Sequence, residues 1–154
     1  MGKITPKLTL TSNASGASTD PGPLSIALSL SATDLLDVTK VESKIVDVSG
    51  THALLWDASS FVAPGGTNAE AGTDGAFIYL KNVHATVNIM IGSANSNLSD
   101  NVDPASPSAT RLFTIKPGEF AWMPWDCTYD IYVDANGTGA AGLETWAFVR
   151  TTTA

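Results

Sequence analysis

The stretch Leu143-Glu144-Thr145-Trp146-Ala147-Phe148-Val149-Arg150 decides the fold. Leu143, Thr145, Ala147 and Val149 fall on one side of an extended chain, and Glu144, Trp146, Phe148 and Arg150 on the other. That period of two belongs to a β-strand. Both sides carry large apolar groups, so a single core cannot absorb the whole segment. Trp146 or Phe148, or their opposite neighbours, are then expected to pack under a loop or across a subunit boundary.

Working outward, the same alternation recurs. Arg111–Ile115 and Tyr129–Val133 read as strands, and Phe120–Trp125 continues the pattern. Between them Lys116-Pro117-Gly118-Glu119 has Pro and Gly at the centre of a turn, which fits type II geometry. Asn136-Gly137-Thr138-Gly139 is a second turn. Ala76–Lys81 and Ala85–Ile91 are expected strands joined by a short turn at 82–84. His52–Asp57 is another. Residues 34–48 are ambiguous: Leu35, Val38, Val41 and Ile45 nearly form a helical stripe, but the β-branched residues favour strand. The reading is a short turn near residue 34 and strands over 38–48. The clearest strand is Leu24–Leu30, where Leu24, Ile26, Leu28 and Leu30 share a face.

Roughly eight or nine short strands with Gly, Pro and Asn punctuation predict an all-β protein. The specific expectation is an antiparallel two-sheet β-sandwich of jelly-roll type with an extended N-terminal arm. No fixed-period repeat and no three-turn amphipathic helix is present. The expected organisation is an arm and linker over 1–22 and a β-sandwich domain over 23–154. Pro6 interrupts the alternation of Ile4, Leu8 and Leu10, which marks an edge strand or an arm. Residues 12–22 are turn formers. Two long segments, 59–75 and 92–109, are rich in Gly, Pro, Ser, Asn and Asp, and loops of that length in a small domain point to contact surfaces.

Composition bounds the function. The chain has 154 residues, enough for one domain with a real core. Charged residues are 15%, well below the roughly 25% of ordinary soluble proteins. Such a surface suits repeated subunit contacts, because its short side chains lose little entropy on packing. The net charge is −7, from 15 acidic and 8 basic residues. That opposes nucleic acid and anionic membranes as partners. The single Cys127 excludes an internal disulfide framework and is expected to be buried and inert. The segment Met1–Leu10 lacks the continuous apolar region of a signal peptide, so a soluble, cytoplasmically made protein is expected.

Groups able to do chemistry are sparse. His52 and His84 lack metal-ligand spacing, and the acidic residues show no calcium-loop pattern. The 115–120 turn resembles that of cupin-type jelly rolls but lacks their clustered His residues, so neither metal nor cofactor is expected and no catalytic residue is assigned. The aromatics Phe120, Trp122, Trp125, Tyr129, Tyr132, Trp146 and Phe148 concentrate toward the C-terminus. They form either a sandwich core with its rim, or an exposed platform for sugar stacking or protein anchoring. Candidate interface residues are Ile4, Pro6, Leu8, Leu10, Phe61, Trp122, Trp125 and Trp146.

Four segments carry a family resemblance: 3–11 (KITPKLTLT), 23–30 (PLSIALSL), 77–82 (FIYLKN) and the 116–120 turn (KPGEF) with its aromatic tail. Together they resemble small virion structural proteins of tailed bacteriophages, especially those of marine and cyanobacterial hosts. The resemblance implies a capsid decoration (cement) protein on the virion exterior, made in the host bacterial cytoplasm. Its partners would be the major capsid protein and further copies of itself. It also admits a tail, neck or head-fibre component that binds host glycans. A small jelly-roll enzyme and a plain carbohydrate-binding module are the remaining alternatives.

Overall fold

The computed structural model describes residues 2–5, 7–11, 27–31, 36–58, 75–93, 111–125, 127, 129–136 and 141–150. The chain divides into two compact units, Met1–Asp37 and Val38–Ala154. The arm-and-linker boundary expected at 22/23 lies outside the described residues. In the first unit, which also holds β1 (Gly2–Ile4), β2 (Lys7–Thr11) pairs antiparallel with β3 (Ala27–Ser31). The register sets Leu8 opposite Leu30 and Leu10 opposite Leu28. The leucine alternation that reads as a sandwich strand thus belongs to a hairpin with the N-terminal segment. Leu24, Ile26 and the linker 12–22 lie outside the described residues.

The second unit is the sandwich. Its strands are β4 (Leu36–Val48), β5 (Ala53–Trp56), β6 (Ala76–Asn82), β7 (Ile89–Gly92), β8 (Arg111–Ile115), β9 (Phe120–Trp125), β10 (Ile131–Ala135) and β11 (Ala141–Arg150). They form two antiparallel sheets, ordered β4-β11-β6-β9 and β5-β10-β7-β8. Apart from the β7–β8 step, each successive strand lies in the opposite sheet. This is jelly-roll topology, as the strand pattern predicts.

The details correct the sequence reading in three places. First, β4 is one strand of 13 residues, not short pieces. It pairs with β11 from Val48 opposite Ala141 to Val38 opposite Arg150, and its β-branched residues fit that pleated ladder. Second, β7 starts at Ile89, not Ala85. The N–H groups of Thr86 and Val87 donate to His84 Nδ1 at 3.1 and 3.0 Å, so they are committed to a local turn rather than a ladder. Third, β6 and β7 are not a hairpin; the 82–88 segment crosses from one sheet to the other. The 116–119 turn makes a similar crossing between β8 and β9. It has type II geometry: Gly118 sits at φ +79° and Glu119 N–H donates to Lys116 O at 3.0 Å.

Asn82 ties these two crossings together. Its side chain is fully buried, with Nδ2 donating to Val87 O (2.8 Å) and Ile115 O (3.0 Å) and Oδ1 accepting from His84 N–H (2.9 Å). Its backbone N–H donates to Glu119 O and its carbonyl accepts from Gly118 N–H, each at 3.0 Å. One buried amide thus satisfies carbonyls from both connections, which burial otherwise makes costly.

The core lies between the sheets. Ile78 and Leu80 of β6 and Leu143, Ala147 and Val149 of β11 belong to the same buried cluster as Ile89, Ile91 and Val133. Burying each of the larger side chains contributes about 1.5–3 kcal/mol. Thr145 shares that inner face and satisfies its hydroxyl by donating to Lys44 O at 3.1 Å. Trp56 and Trp125 stack in the core at 6.0 Å. Trp125 is therefore a core residue and not an interface residue. Its indole donates to Tyr129 O at 2.9 Å, which explains how so large a polar-tipped ring is buried. Pro124 lies on β9, an outer strand of its sheet, where its missing N–H leaves no gap in the ladder.

Candidate functional site

The feature that stands out chemically is the outer face of the β4-β11-β6-β9 sheet. Alternation sends Ala76, Ile78 and Leu80 inward, so Phe77, Tyr79 and Lys81 face out; on β11 it sends Glu144, Trp146 and Phe148 out. The registers align these side chains in rows across the sheet. One row is Ile45, Glu144, Lys81 and Phe120. The next is Ser43, Trp146, Tyr79 and Trp122, and the third is Val41, Phe148, Phe77 and Pro124. Ile45 is 72% exposed, Phe120 57% and Val41 50%; Trp122 and Trp146 are each 37% exposed. This contiguous apolar face is the candidate interaction surface among the described residues.

The rings are arranged against one another. Trp146 stacks on Phe148 at 6.1 Å with planes 9° apart, and Trp122 stacks on Phe77 at 5.5 Å and 13°. Phe148 and Trp122 meet at 5.4 Å in a tilted contact, and Tyr79 leans on Phe120 at 6.1 Å. The rings thus form one packed apolar belt, of the kind that suits contact with another protein surface.

Charge on this face is slight. Glu144 and Lys81 stand directly opposite each other on neighbouring strands, and Glu144 Oε1 accepts from the Trp146 indole N–H at 3.2 Å. Burial raises the Tyr79 phenol above its ordinary pKa, and the Glu144 carboxylate adds to the rise. The phenol is a neutral hydrogen-bonding group at physiological pH.

Ile4 is half-buried on β1, and Leu8 and Leu10 lie on β2. Pro6 and Phe61 fall outside the described residues, as do most of the segments 59–75 and 92–109. Trp122 and Trp146 lie on the aromatic face. The interface set proposed from sequence left out Phe77 and Tyr79. The signal was present in the alternation of AFIYLK, whose second, fourth and sixth residues carry the outward face.

No competing chemical centre emerges among the described residues. No three His, Cys, Asp or Glu side chains converge in a way that could hold a metal ion. His84 serves a turn. Asp130 accepts from Ala58 N–H at 2.9 Å and, at 3.5 Å, from the Tyr132 hydroxyl. Burial, then the charges of Asp130 and Asp57, raise the Tyr132 phenol. Asp134 is fully buried on β10, and neither of its carboxylate oxygens accepts a hydrogen bond from a described residue. Cys127 is buried at φ +57°. No helix among the described residues is long and apolar enough to cross a membrane.

Comparison with known proteins gives little. No family model matches the chain, and no curated protein matches it. Among solved structures, it is similar to a protein of Bacillus endospore appendages, disulfide-linked pili, at 15% identity and a TM-score of 0.46. The similarity covers 80% of this chain and 96% of that one.

Proposed function

We propose that this protein is a non-catalytic structural subunit of a tailed-phage virion, acting as a capsid decoration protein. The single observation that carries a structural role is the aromatic outer face of the β4-β11-β6-β9 sheet. It is a broad, weakly charged apolar surface on the jelly-roll. The virion setting is supported by the resemblance of the 3–11, 23–30, 77–82 and 116–120 segments to phage structural proteins.

In this reading many copies sit on the outer shell and bridge junctions between major capsid subunits. Each copy buries surface that exists only in the expanded lattice, so binding favours that state by linkage. Arraying copies holds several weak contacts at once and raises avidity. The N-terminal segment 1–22 and the segments 59–75 and 92–109 are the candidates for touching the shell. A head fibre binding glycans is the second reading. It rests on the exposed rings of Trp122 and Trp146.

Quantitative mass spectrometry of purified virions tests the proposal. A decoration protein is present in copies on the order of the capsid subunits, hundreds per particle. Copies in the tens or fewer identify a fibre or neck component, and absence from the particle overturns the virion reading.

A further inference from the structure

The same aromatic face has a symmetry that identifies an occupant. Its rows run across the strands, and of the three aromatic rows one is charged: Ile45, Glu144, Lys81, Phe120; Asp47, opposite Gly142, lies one step beyond it on the same face. The opposite charges flank the seam between the neighbouring strands β11 and β6. Consider a twofold axis parallel to the strands and above that seam. A rotation about it keeps every row at its own height. It lays β11 of one copy over β6 of the other, and β4 over β9.

The resulting juxtapositions are complementary in every row. Glu144 of each copy faces Lys81 of the other, and Ile45 faces Phe120. In the middle row Trp146 faces Tyr79, and the small Ser43 faces the large Trp122. In the third row Phe148 faces Phe77 and Val41 faces Pro124. No like charges meet. Packed sheets are offset by roughly 30°, which shifts a row about 7 Å from the centre sideways by about 3–4 Å. That is within the reach of Lys and Glu side chains. An isologous contact demands a self-complementary patch, and charge complementarity across a twofold is its signature.

We infer that two copies of this chain pair face to face through the outer surface of the β4-β11-β6-β9 sheet, with Glu144 of each copy opposite Lys81 of the other. The inference rests on reading this face as a protein contact surface but not on the virion setting. Copy number in particles and mass in solution therefore fail independently.

Sedimentation equilibrium on the full chain is the test. At concentrations on the order of 10–100 µM, the wild type sediments at twice the 16.0 kDa chain mass. Glu144→Lys places Lys opposite Lys across the axis, and Lys81→Glu places Glu opposite Glu. Each weakens the dimer roughly tenfold or more. Mixing the two variants restores pairing, because each introduced charge then faces its opposite on the other copy and the two unaltered side chains, Lys81 and Glu144, face each other. This rescue between chains separates the intermolecular contact from the Glu144–Lys81 pair within one chain. Trp122→Ser removes the ring facing Ser43 and also lowers the mass. Both charge variants keep the wild-type β spectrum and a cooperative melt. A wild type that sediments as a monomer overturns the inference. So does a dimer indifferent to these substitutions, or a mixture that fails to pair.

Discussion

Replacing Asn82 tests whether one buried amide holds the two sheet crossings. In Asn82→Ala, Val87 O and Ile115 O lose their donors and His84 N–H loses its acceptor, at original distances of 2.8, 3.0 and 2.9 Å. A net hydrogen bond contributes about 0.5–1.5 kcal/mol, and a stranded buried polar group costs about 1–3 kcal/mol. The Ile115 contact is fully buried and loses most; the Val87 and His84 groups are nearer to water and recover part of theirs. The expected loss is about 2–4 kcal/mol, a large share of the roughly 5–15 kcal/mol of a typical domain. Asn82→Asp is worse than Ala. It fills the same space but sets a carboxylate oxygen against two carbonyl oxygens, adding repulsion to the missing donors. Urea unfolding followed by Trp fluorescence measures both, since Trp56 and Trp125 report on the core. The predicted order of stability is wild type, then Ala, then Asp. An Ala variant within about 0.5 kcal/mol of wild type, or an Asp variant as stable as Ala, refutes the reasoning.

Other substitutions probe separate links. Gly118→Ala meets open space but must hold φ +79°, so it costs about 1 kcal/mol in the same unfolding assay; no loss means the turn is not type II. Asp134→Val removes a buried carboxylate whose oxygens accept nothing from the described residues, and stability rises by about 1–3 kcal/mol; a fall shows that the carboxylate has a partner. The Tyr79 phenol holds its proton to higher pH than in the unfolded chain, so the stability it contributes is full below pH 10.0 and falls as pH rises through the native value. Phenolate absorbance should show the high titration, and Glu144→Gln should lower it only partly, since burial is the larger cause.

Much of the architecture was legible from alternation alone. The inward set Leu143, Thr145, Ala147 and Val149 is buried as a period of two requires. The Pro117-Gly118 turn has its expected geometry because Gly at that position accepts positive φ without strain. Pairing partners were not legible. Local spacing presents 82–84 as a hairpin turn, yet Asn82 and His84 side chains divert the chain to the opposite sheet. The Leu24–Leu30 strand gave no hint that its described part pairs with β2, since alternation specifies a face and not a neighbour.

The candidate site was half visible for a related reason. Trp122 and Trp125 look equivalent in FAWMPW, but they are three residues apart and a strand sends them to opposite faces. Trp125 thus meets Trp56 in the core while Trp122 joins the outer belt. The belt itself is a product of register. Only the alignment of β11, β6 and β9 brings Phe148, Phe77 and Trp122 together, and no short stretch of sequence contains that information.

The central claim is that the outer face of this sheet is a covered contact surface in the working assembly. Hydroxyl-radical footprinting compares dilute, dissociated protein with the assembled particle and reads it residue by residue. Labelling of Phe120, Trp122 and Trp146 should fall sharply on assembly, while Leu112, which lies on the opposite sheet, keeps its reactivity. Equal labelling of the three aromatics in both states would contradict the account.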